Sequence, residues 1–375
     1  MKLSACMIVK NELATLASCL RSIIGYVDEI VIVDTGSKDG TQYLVEAWNA
    51  AYGNNGTKFV VGELKLKEWS FSDARNYAMS LASGDWLFTI DADDRVETKD
   101  WDQLLKFLRA DTDQYDEFDL IACNIENLYG NEAKKGGALT QPRFFRTSSK
   151  PKYVGKVHNN ITFPELDRPH NAISADFTIY HIGYGMLTQE ALTAKTERVV
   201  NATKKDTEEH QESAFAWYNY GNALKSRIAY VGWKNGDSED KKNAFDAFDK
   251  AMRFATTREN HYFIGAVSLK GWMHFFDKEF ELADECASMA IREKKDFVDA
   301  MLLKASIAAD SDRLDDAEHW AKAYLIADEK LSQIGKYDNV AVQFMGHRAD
   351  VYELLCAIER RRTDTVDRQR ALQMN

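Results

Sequence analysis

Two carboxylates one residue apart, Asp91 and Asp93, follow a short apolar run. Residues 84–90 read Gly-Asp-Trp-Leu-Phe-Thr-Ile, a composition typical of a buried strand that ends at Asp91. At the carboxyl edge of an α/β sheet, such carboxylates can hold a divalent cation against a nucleotide diphosphate. An Asp-x-Asp (DXD) pair is also common in ordinary acidic turns. The pair therefore predicts a metal site only if the surrounding elements place other suitable residues beside it.

Strand-like and helix-like segments alternate before this pair. Leu3–Val9 and Glu29–Asp34 are apolar runs typical of buried strands, and residues 11–24 between them carry leucine and isoleucine at helical spacing. Further alternation continues through a turn at 35–40, a helix near 41–51, a strand near 58–61 and a helix near 73–82. This order predicts a parallel sheet covered by helices. After Phe118 the segments 120–127, 139–146, 153–163 and 175–182 resemble strands, which predicts a mixed-sheet extension.

From about residue 190 the pattern is helical only. Several helix-like segments pair into hairpins with short Asp-, Gly- or Lys-rich turns, and residues 300–325 read as helix, turn, helix. The spacing resembles tetratricopeptide (TPR) repeats of about 34 residues, although a plain helical bundle would give a similar pattern. We therefore predict an α/β domain over residues 1–205 and an all-α, helical-hairpin (TPR-like) domain over residues 206–375.

The composition narrows the classes of function. The chain has 375 residues, of which 45% are hydrophobic and 29% charged, as expected for a globular protein of two or three domains. Its net charge of −11 argues against broad binding to nucleic acid or to an anionic membrane. The five cysteines form no Cys-x-x-Cys pair, which favours free thiols in a reducing compartment. With no run long enough for a membrane span, we expect a cytoplasmic protein.

Six ordered motifs resemble those of family 2 glycosyltransferases, which are nucleotide-sugar enzymes of the GT-A fold. The motifs are residues 6–12, 28–37, 39–41, 71–76, 84–86 and 91–93, and two later ones at 155–158 and 180–184 extend the resemblance to roughly residues 3–200. The sequence looks most similar to a bacterial branch with lipopolysaccharide-core glucosyltransferases and peptide S-glycosyltransferases. The resemblance implies a Rossmann-like mixed sheet. It also implies inverting transfer of a hexose, with glucose expected, from a UDP-sugar.

The resemblance assigns five positions to the nucleotide. Val9, Lys10 and Glu12 follow the first strand and would border the uracil and ribose. Asp34 would accept a hydrogen bond from the imide N–H of the base, although a structural turn aspartate is the alternative. Arg75 would offer its planar fork to ribose or phosphate oxygens, unless it is a surface arginine on a helix.

The resemblance also places the DXD motif at the diphosphate. Asp91 and the intervening Ala92 would lie near the ribose and donor sugar, and Asp93 would be the main ligand of Mn²⁺ or Mg²⁺, with Asp91 also in the set. His181 resembles a late histidine that completes the metal shell in many such enzymes, and a structural histidine is the alternative. The cation would neutralise charge on the leaving nucleoside diphosphate.

The catalytic base cannot be carried over from the family. Many relatives continue Val-His with Glu, but this chain has Asn159 after His158, and asparagine cannot accept a proton at neutral pH. The base could be Asp94, Glu126 or Glu165, or His158 itself. Alternatively, an acidic acceptor such as a cysteine thiol would need little help, or catalysis has been lost.

The acceptor is left open by the sequence. Repeat helices usually present a surface to a peptide or protein, or mediate self-association, which favours a peptide or protein acceptor, or a homodimer through the helical domain. The stretch between Glu132 and Glu165 has no acidic residue and could instead face a phosphorylated glycan or a modified nucleic acid, or simply solvent; its basic residues are Lys134, Lys135, Arg143, Arg146, Lys150, Lys152 and Lys156. A non-catalytic scaffold that senses nucleotide sugar is the alternative from another class.

Overall fold

The computed structural model describes residues 1–373 except 54–55, 66–69, 110–117, 130–133, 156–158, 183–188, 232–237, 258–259 and 335–347. The chain divides into two compact units, and the first is Met1–Leu192. The second contains Thr193–Ile334 and the C-terminal helix. The division falls inside one long helix, Gln189–Glu209, which also contains the boundary expected at residues 205/206.

The first unit is built on a mixed sheet, as predicted, and this sheet has eight strands. Its strands are β1 (Leu3–Val9), β2 (Glu29–Asp34), β3 (Lys58–Glu63), β4 (Trp86–Thr89), β5 (Asp94–Val96), β6 (Leu120–Tyr129), β7 (Lys134–Arg146) and β10 (Ala172–His181). The spatial order is β3-β2-β1-β4-β7-β6-β10-β5. Strands β3, β2, β1 and β4, which are neighbours in this order, are parallel to one another. Strand β7 runs antiparallel to both β4 and β6. Strands β10 and β6 are parallel, whereas β5 is antiparallel to β10.

The segment predicted as one strand near 153–163 is two short strands instead. Strands β8 (Lys152–Val154) and β9 (Asn160–Thr162) pair antiparallel as a separate two-stranded sheet. Gly155 follows β8 with a φ of 93°, a conformation that glycine adopts without steric cost. The chain therefore turns back where a continuous strand was expected.

Helices cover both faces of the large sheet. They are α1 (Leu16–Ile23), α2 (Thr41–Tyr52), α3 (Phe71–Leu81) and α4 (Thr98–Arg109). All six residues of β2 are buried, as expected for a central parallel strand covered on both sides. The carboxyl ends of β2, β1 and β4 are neighbours, so this order brings Asp34, Lys10 and Asp91 to the same edge of the sheet.

The second unit is helical, as predicted. Its helices are α5 (Gln189–Glu209), α6 (Ala214–Val231), α7 (Ser238–Phe254), α8 (His261–Phe276), α9 (Phe280–Glu293), α10 (Val298–Asp310), α11 (Leu314–Ile334) and α12 (Arg348–Gln373). Helices α6–α7, α8–α9 and α10–α11 pack as consecutive hairpins. In the part of the chain that the structure describes, no helix combines the length and the apolar composition that a bilayer crossing requires.

Candidate functional site

Asp34, at the end of β2, shapes one side of the sheet edge. Its Oδ1 accepts hydrogen bonds from the backbone N–H groups of Gly36 at 2.6 Å and Ser37 at 2.7 Å. Its Oδ2 is buried and has no hydrogen-bond partner among the described residues. A buried carboxylate oxygen that lacks a donor is costly, so this atom is suited to receive an N–H from a ligand.

Two loops are tied together beside Asp34. The Asn11 side chain accepts from the backbone N–H of Lys38 at 2.8 Å, and the Ser37 hydroxyl accepts from the N–H of Asn11 at 2.9 Å. One turn further on, the Thr41 hydroxyl accepts from the N–H of Glu12 at 2.8 Å. These bonds fix the loop after β1 against the loop after β2 and hold the exposed Lys10 at the rim.

Asp91 lies between two arginines. Arg75 Nη2 on α3 is 2.7 Å from Asp91 Oδ1, and Arg143 on β7 places Nη1 and Nη2 at 3.3 and 3.4 Å from Oδ2. Burial raises the pKa of Asp91, but Arg75 and then Arg143 outweigh it and hold the pKa well below its usual range. Asp91 is therefore ionised across the physiological range and serves as counter-ion to both guanidiniums.

Asp93, Asp94 and His181 form a second group of potential ligands. Each contributes an atom to a set in which all atoms lie within 4.8 Å of one another. His181 Nδ1 is 2.8 Å from Asp94 Oδ1 and 3.5 Å from Asp93 Oδ1. The pairing of β10 with β5 places His181 directly opposite Asp94, so the antiparallel register builds the group.

The charge of His181 depends on these carboxylates. Burial lowers its pKa, but the hydrogen bond to Asp94 and the charge of Asp93 outweigh burial and raise the pKa above its ordinary value. Asp94 is fully buried, whereas Asp93 is 18% exposed. Oxygen and imidazole ligands at this spacing suit Mn²⁺ and, with the carboxylates alone, Mg²⁺.

The sequence of this unit matches a known family. The family model described as Glycosyl transferase family 2 covers residues 4–163, which contain Asp34, Arg75, the DXD motif and Arg143. This part of the chain is therefore similar to family 2 glycosyltransferases, and its large mixed sheet is GT-A-like.

Two curated proteins and one solved structure illustrate what this chain is similar to. The chain is 28% identical over 232 residues to a TPR repeat-containing protein of Synechococcus elongatus, covering 60% of this chain and 52% of that one. It is 28% identical over 200 residues to the SPbeta prophage-derived glycosyltransferase SunS of Bacillus subtilis, covering 53% and 43%. The chain thus spans about half the length of these curated relatives. S. aureus TarS 1–349 in complex with UDP superimposes with a TM-score of 0.41 at 16% identity, covering 79% of this chain and 90% of that one.

The remaining residues assigned to the donor lie at or near the same edge. Val9 ends β1 and is buried, and its carbonyl accepts from the N–H of Thr35 at 3.0 Å. Ala92 is buried between the two aspartates. A small cavity beside Arg75 and Asp91 is lined in part by Met7 of β1.

The residues that the sequence offers as catalytic bases do not lie together in the first unit. His158 lies outside the described residues, and the side chain of Asn159 donates to the carbonyl of Gly155 at 2.5 Å, closing the loop. Glu165 is an exposed carboxylate that pairs with Lys150. Glu126 lies on β6 opposite Tyr180, one position from His181 along β10. Because neighbouring residues of a strand point to opposite faces of the sheet, Glu126 does not share the face of His181. Asp94 is the described candidate that belongs to the acidic group.

The stretch with many basic residues does not form one continuous basic surface in its described part. Arg143 is buried against Asp91, whereas Arg146 lies with its guanidinium 4.7 Å from the centre of the Trp86 ring. Lys150 pairs with Glu165. In the sequence, Arg143 is one member of this basic stretch, and no local pattern marks it as part of the site. Only the register of β7 against β4 reveals it, because Phe144 pairs with Phe88 and Arg143 comes next, beside Thr89.

Proposed function

We propose that the chain is an inverting glycosyltransferase that moves a hexose, with glucose expected, from a UDP-sugar to an acceptor. The observation that carries the proposal is the arrangement at one sheet edge. A buried carboxylate oxygen without a partner at Asp34 shares this edge with Arg75 and the group Asp93, Asp94 and His181. Uracil offers a single imide N–H, which matches the single available oxygen of Asp34.

A divalent cation, Mn²⁺ or Mg²⁺, fits the donor set of this group. Asp93 and His181 would hold it, with Asp94 beside them and the diphosphate completing the shell. When bound, the cation would neutralise charge that develops on the leaving UDP. Arg75 would align phosphate or ribose oxygens through its planar fork while Asp91 keeps that fork oriented.

The proton of the acceptor requires a base on the opposite side of the sugar. Asp94 is fully buried in the group that would hold the cation on the diphosphate side, which leaves Glu126, Glu165 and His158 as the candidates for this base. An acceptor thiol would lose its proton readily and would need the weakest base. Cysteine-containing peptides or proteins are therefore the first acceptors to test, in keeping with the resemblance to peptide S-glycosyltransferases.

Release of UDP is the direct test of this function. The full-length chain is incubated with a panel of UDP-sugars and Mn²⁺, with and without a cysteine-containing peptide. We expect UDP release with one sugar and loss of release in Asp93→Ala, whose circular dichroism should keep the helical signal. Absence of both UDP binding and UDP release in the presence of Mn²⁺ would refute the proposal and favour a non-catalytic scaffold.

The acceptor class can be resolved by salt dependence and fractionation. A modified nucleic acid would bind with a steep dependence on salt concentration, whereas a peptide would not. A phosphorylated glycan is the other candidate from the basic stretch, and cell extracts separated into protein, glycan and nucleic acid would identify the fraction that accepts labelled sugar.

Size-exclusion chromatography with light scattering would test for the homodimer expected from the helical domain.

A further inference from the structure

Arg143 contacts two of the three carboxylates in the turn after β4. Its Nη1 and Nη2 lie 3.3 and 3.4 Å from Asp91 Oδ2, and Nη2 lies 3.6 Å from Asp94 Oδ2. The side chain is only 7% exposed, and its strand is held in place because the Thr89 hydroxyl donates to the Arg143 carbonyl at 3.3 Å. The guanidinium is thus a fixed positive charge inside the acidic turn.

The hydrogen bonding of Arg143 is incomplete. Its Nε is buried without a hydrogen-bond partner among the described residues, and its contacts to Asp91 are longer than the 2.7 Å contact of Arg75. A buried ion pair optimised for stability alone would satisfy every donor. The guanidinium of Arg143 is instead shared between two carboxylates, at 3.3 and 3.4 Å from Asp91 and 3.6 Å from Asp94.

The three carboxylates of the turn would otherwise repel one another. Asp91, Asp93 and Asp94 carry up to three negative charges, and Arg75 contacts only Asp91. Whereas the ion pair of Arg75 in this turn is with Asp91, Arg143 reaches the buried Asp94 as well as Asp91. Its forked shape permits both contacts at once, whereas an ammonium group would act as a single point charge.

We propose that Arg143 is a positioning residue for the donor site. It holds Asp91 and Asp94 in fixed orientations and offsets part of their charge, so that Asp93 and His181 are the groups that take the cation. The inference rests on the proposed function. A residue that only supported the fold would not affect the two ligands in opposite ways. Removing the positive charge of Arg143 should strengthen binding of the cation and weaken binding of the anionic nucleotide.

The test uses Arg143→Gln and two measurements that do not require turnover. Binding of Mn²⁺ alone is followed by electron paramagnetic resonance, and binding of UDP at saturating Mn²⁺ by calorimetry. We expect the Mn²⁺ dissociation constant to fall about threefold or more and the UDP dissociation constant to rise about tenfold, since one charge is removed from a site of low dielectric. The opposite signs distinguish the loss of this charge from general loosening of the turn, and the lysine variant described next tests the orienting role of the fork.

Two further variants complete the test. Arg143→Lys keeps the charge but not the fork, so Mn²⁺ binding should stay near that of the unmodified protein while UDP binding weakens. Arg146→Gln, on the same strand, removes a guanidinium that lies against Trp86 and donates to the Phe118 carbonyl, and should change neither constant. Thermal melting of each variant reports on folding.

The outcomes separate this inference from the proposed function. If the unmodified protein binds Mn²⁺ and UDP but Arg143→Gln weakens both or changes neither, the positioning role is refuted and the proposed function stands. If the unmodified protein binds neither, both fail together.

Discussion

Asp34 uses its two carboxylate oxygens for different purposes. Oδ1 holds the turn after β2 through two backbone N–H groups, whereas Oδ2 is buried and has no hydrogen-bond partner among the described residues. The side chain thus organises the loop and keeps one acceptor, which the proposed function assigns to the nucleobase. This division allows the recognition of the nucleobase to be tested without disturbing the turn.

The substitution Asp34→Asn keeps the oxygen that accepts from Gly36 and Ser37 but replaces Oδ2 with a donor. We expect UDP to bind roughly 10- to 100-fold more weakly, since a hydrogen bond to a charged acceptor contributes about 1.5–3 kcal/mol. Calorimetry with UDP and with its N3-methylated analogue would check the reason. The unmodified protein should discriminate between the two ligands, and the variant should not; equal discrimination by both proteins would contradict the assignment.

The candidate residues of the donor side could be proposed from the sequence, whereas the residues that pair with them could not. Asp34, Arg75 and Asp91 lie in local motifs, each beside a strand or helix that the hydrophobic pattern reveals. Arg143 and the contact of Asp94 with His181 depend on the antiparallel registers of β7 and β10, which arise from long-range packing. A pattern read along one strand does not contain the register with its neighbour.

At the scale of elements, Glu29 connects four segments at the opposite edge of the sheet. At the start of β2, its buried carboxylate accepts from Ser4 on β1 at 2.7 Å, from Lys58 on β3 at 3.0 Å, and from both the N–H and the hydroxyl of Ser83 before β4. Burial raises the pKa of Glu29, but these hydrogen bonds outweigh it and lower the pKa to about 2. The parallel strands are therefore joined at their amino ends by one ionised group.

This pKa makes stability depend on pH in a defined window. Because the folded-state pKa is lower than the ordinary value of 4.5, the contribution of Glu29 is present above pH 4.5 and is lost as pH falls toward 2. At neutral pH the contribution of Glu29 to the free energy of unfolding is about 3 kcal/mol. Urea unfolding of the unmodified protein and of Glu29→Gln should show a large stability difference at pH 7 that shrinks by more than half at pH 3.

The exposed Glu63 on β3 provides the matched control. Glu63→Gln should change the free energy of unfolding by less than about 0.5 kcal/mol at either pH. A difference between the unmodified protein and Glu29→Gln that stays constant from pH 7 to pH 3 would show that the carboxylate is not ionised through these contacts.

The alternation of strands and helices was readable from the sequence, and its exceptions have physical causes. Helix α4 was not expected, because residues 91–102 are rich in acidic residues and hide the apolar face that buries Trp101. The apolar residues of β8 and β9 predict a single strand. The turn at Gly155 between them requires a conformation that hydrophobic periodicity does not report.

At the scale of the whole molecule, each unit assembles apolar cores of its own. One core of the first unit surrounds Trp101 and Phe88, and one core of the second surrounds Phe297 and Tyr324. We therefore expect unfolding in two transitions that can be shifted separately.

A substitution at Gly271 on α8 should shift the unfolding transition of the helical unit alone. A Cβ there would lie 2.8 Å from Leu303 Cδ2 and 2.9 Å from Cys286 Cβ, closer than side-chain packing permits. Gly271→Val should lower the stability of the helical unit by about 1–3 kcal/mol and leave the other transition in place. Calorimetry is the measurement, with Ser288→Val on the exposed side of α9 as control. A shift of both transitions together would contradict separate cores.

The placement of Arg143 on β7 has a consequence for recombining related sequences. Asp91 and Arg143 are 52 positions apart, yet they form one ion pair across neighbouring strands. A crossover point between β4 and β7 would take the acidic turn from one parent and its guanidinium from the other. Chimeras that exchange the later strands should therefore carry residues 71–146 as one inherited block, because a shorter graft would separate the two partners of this ion pair.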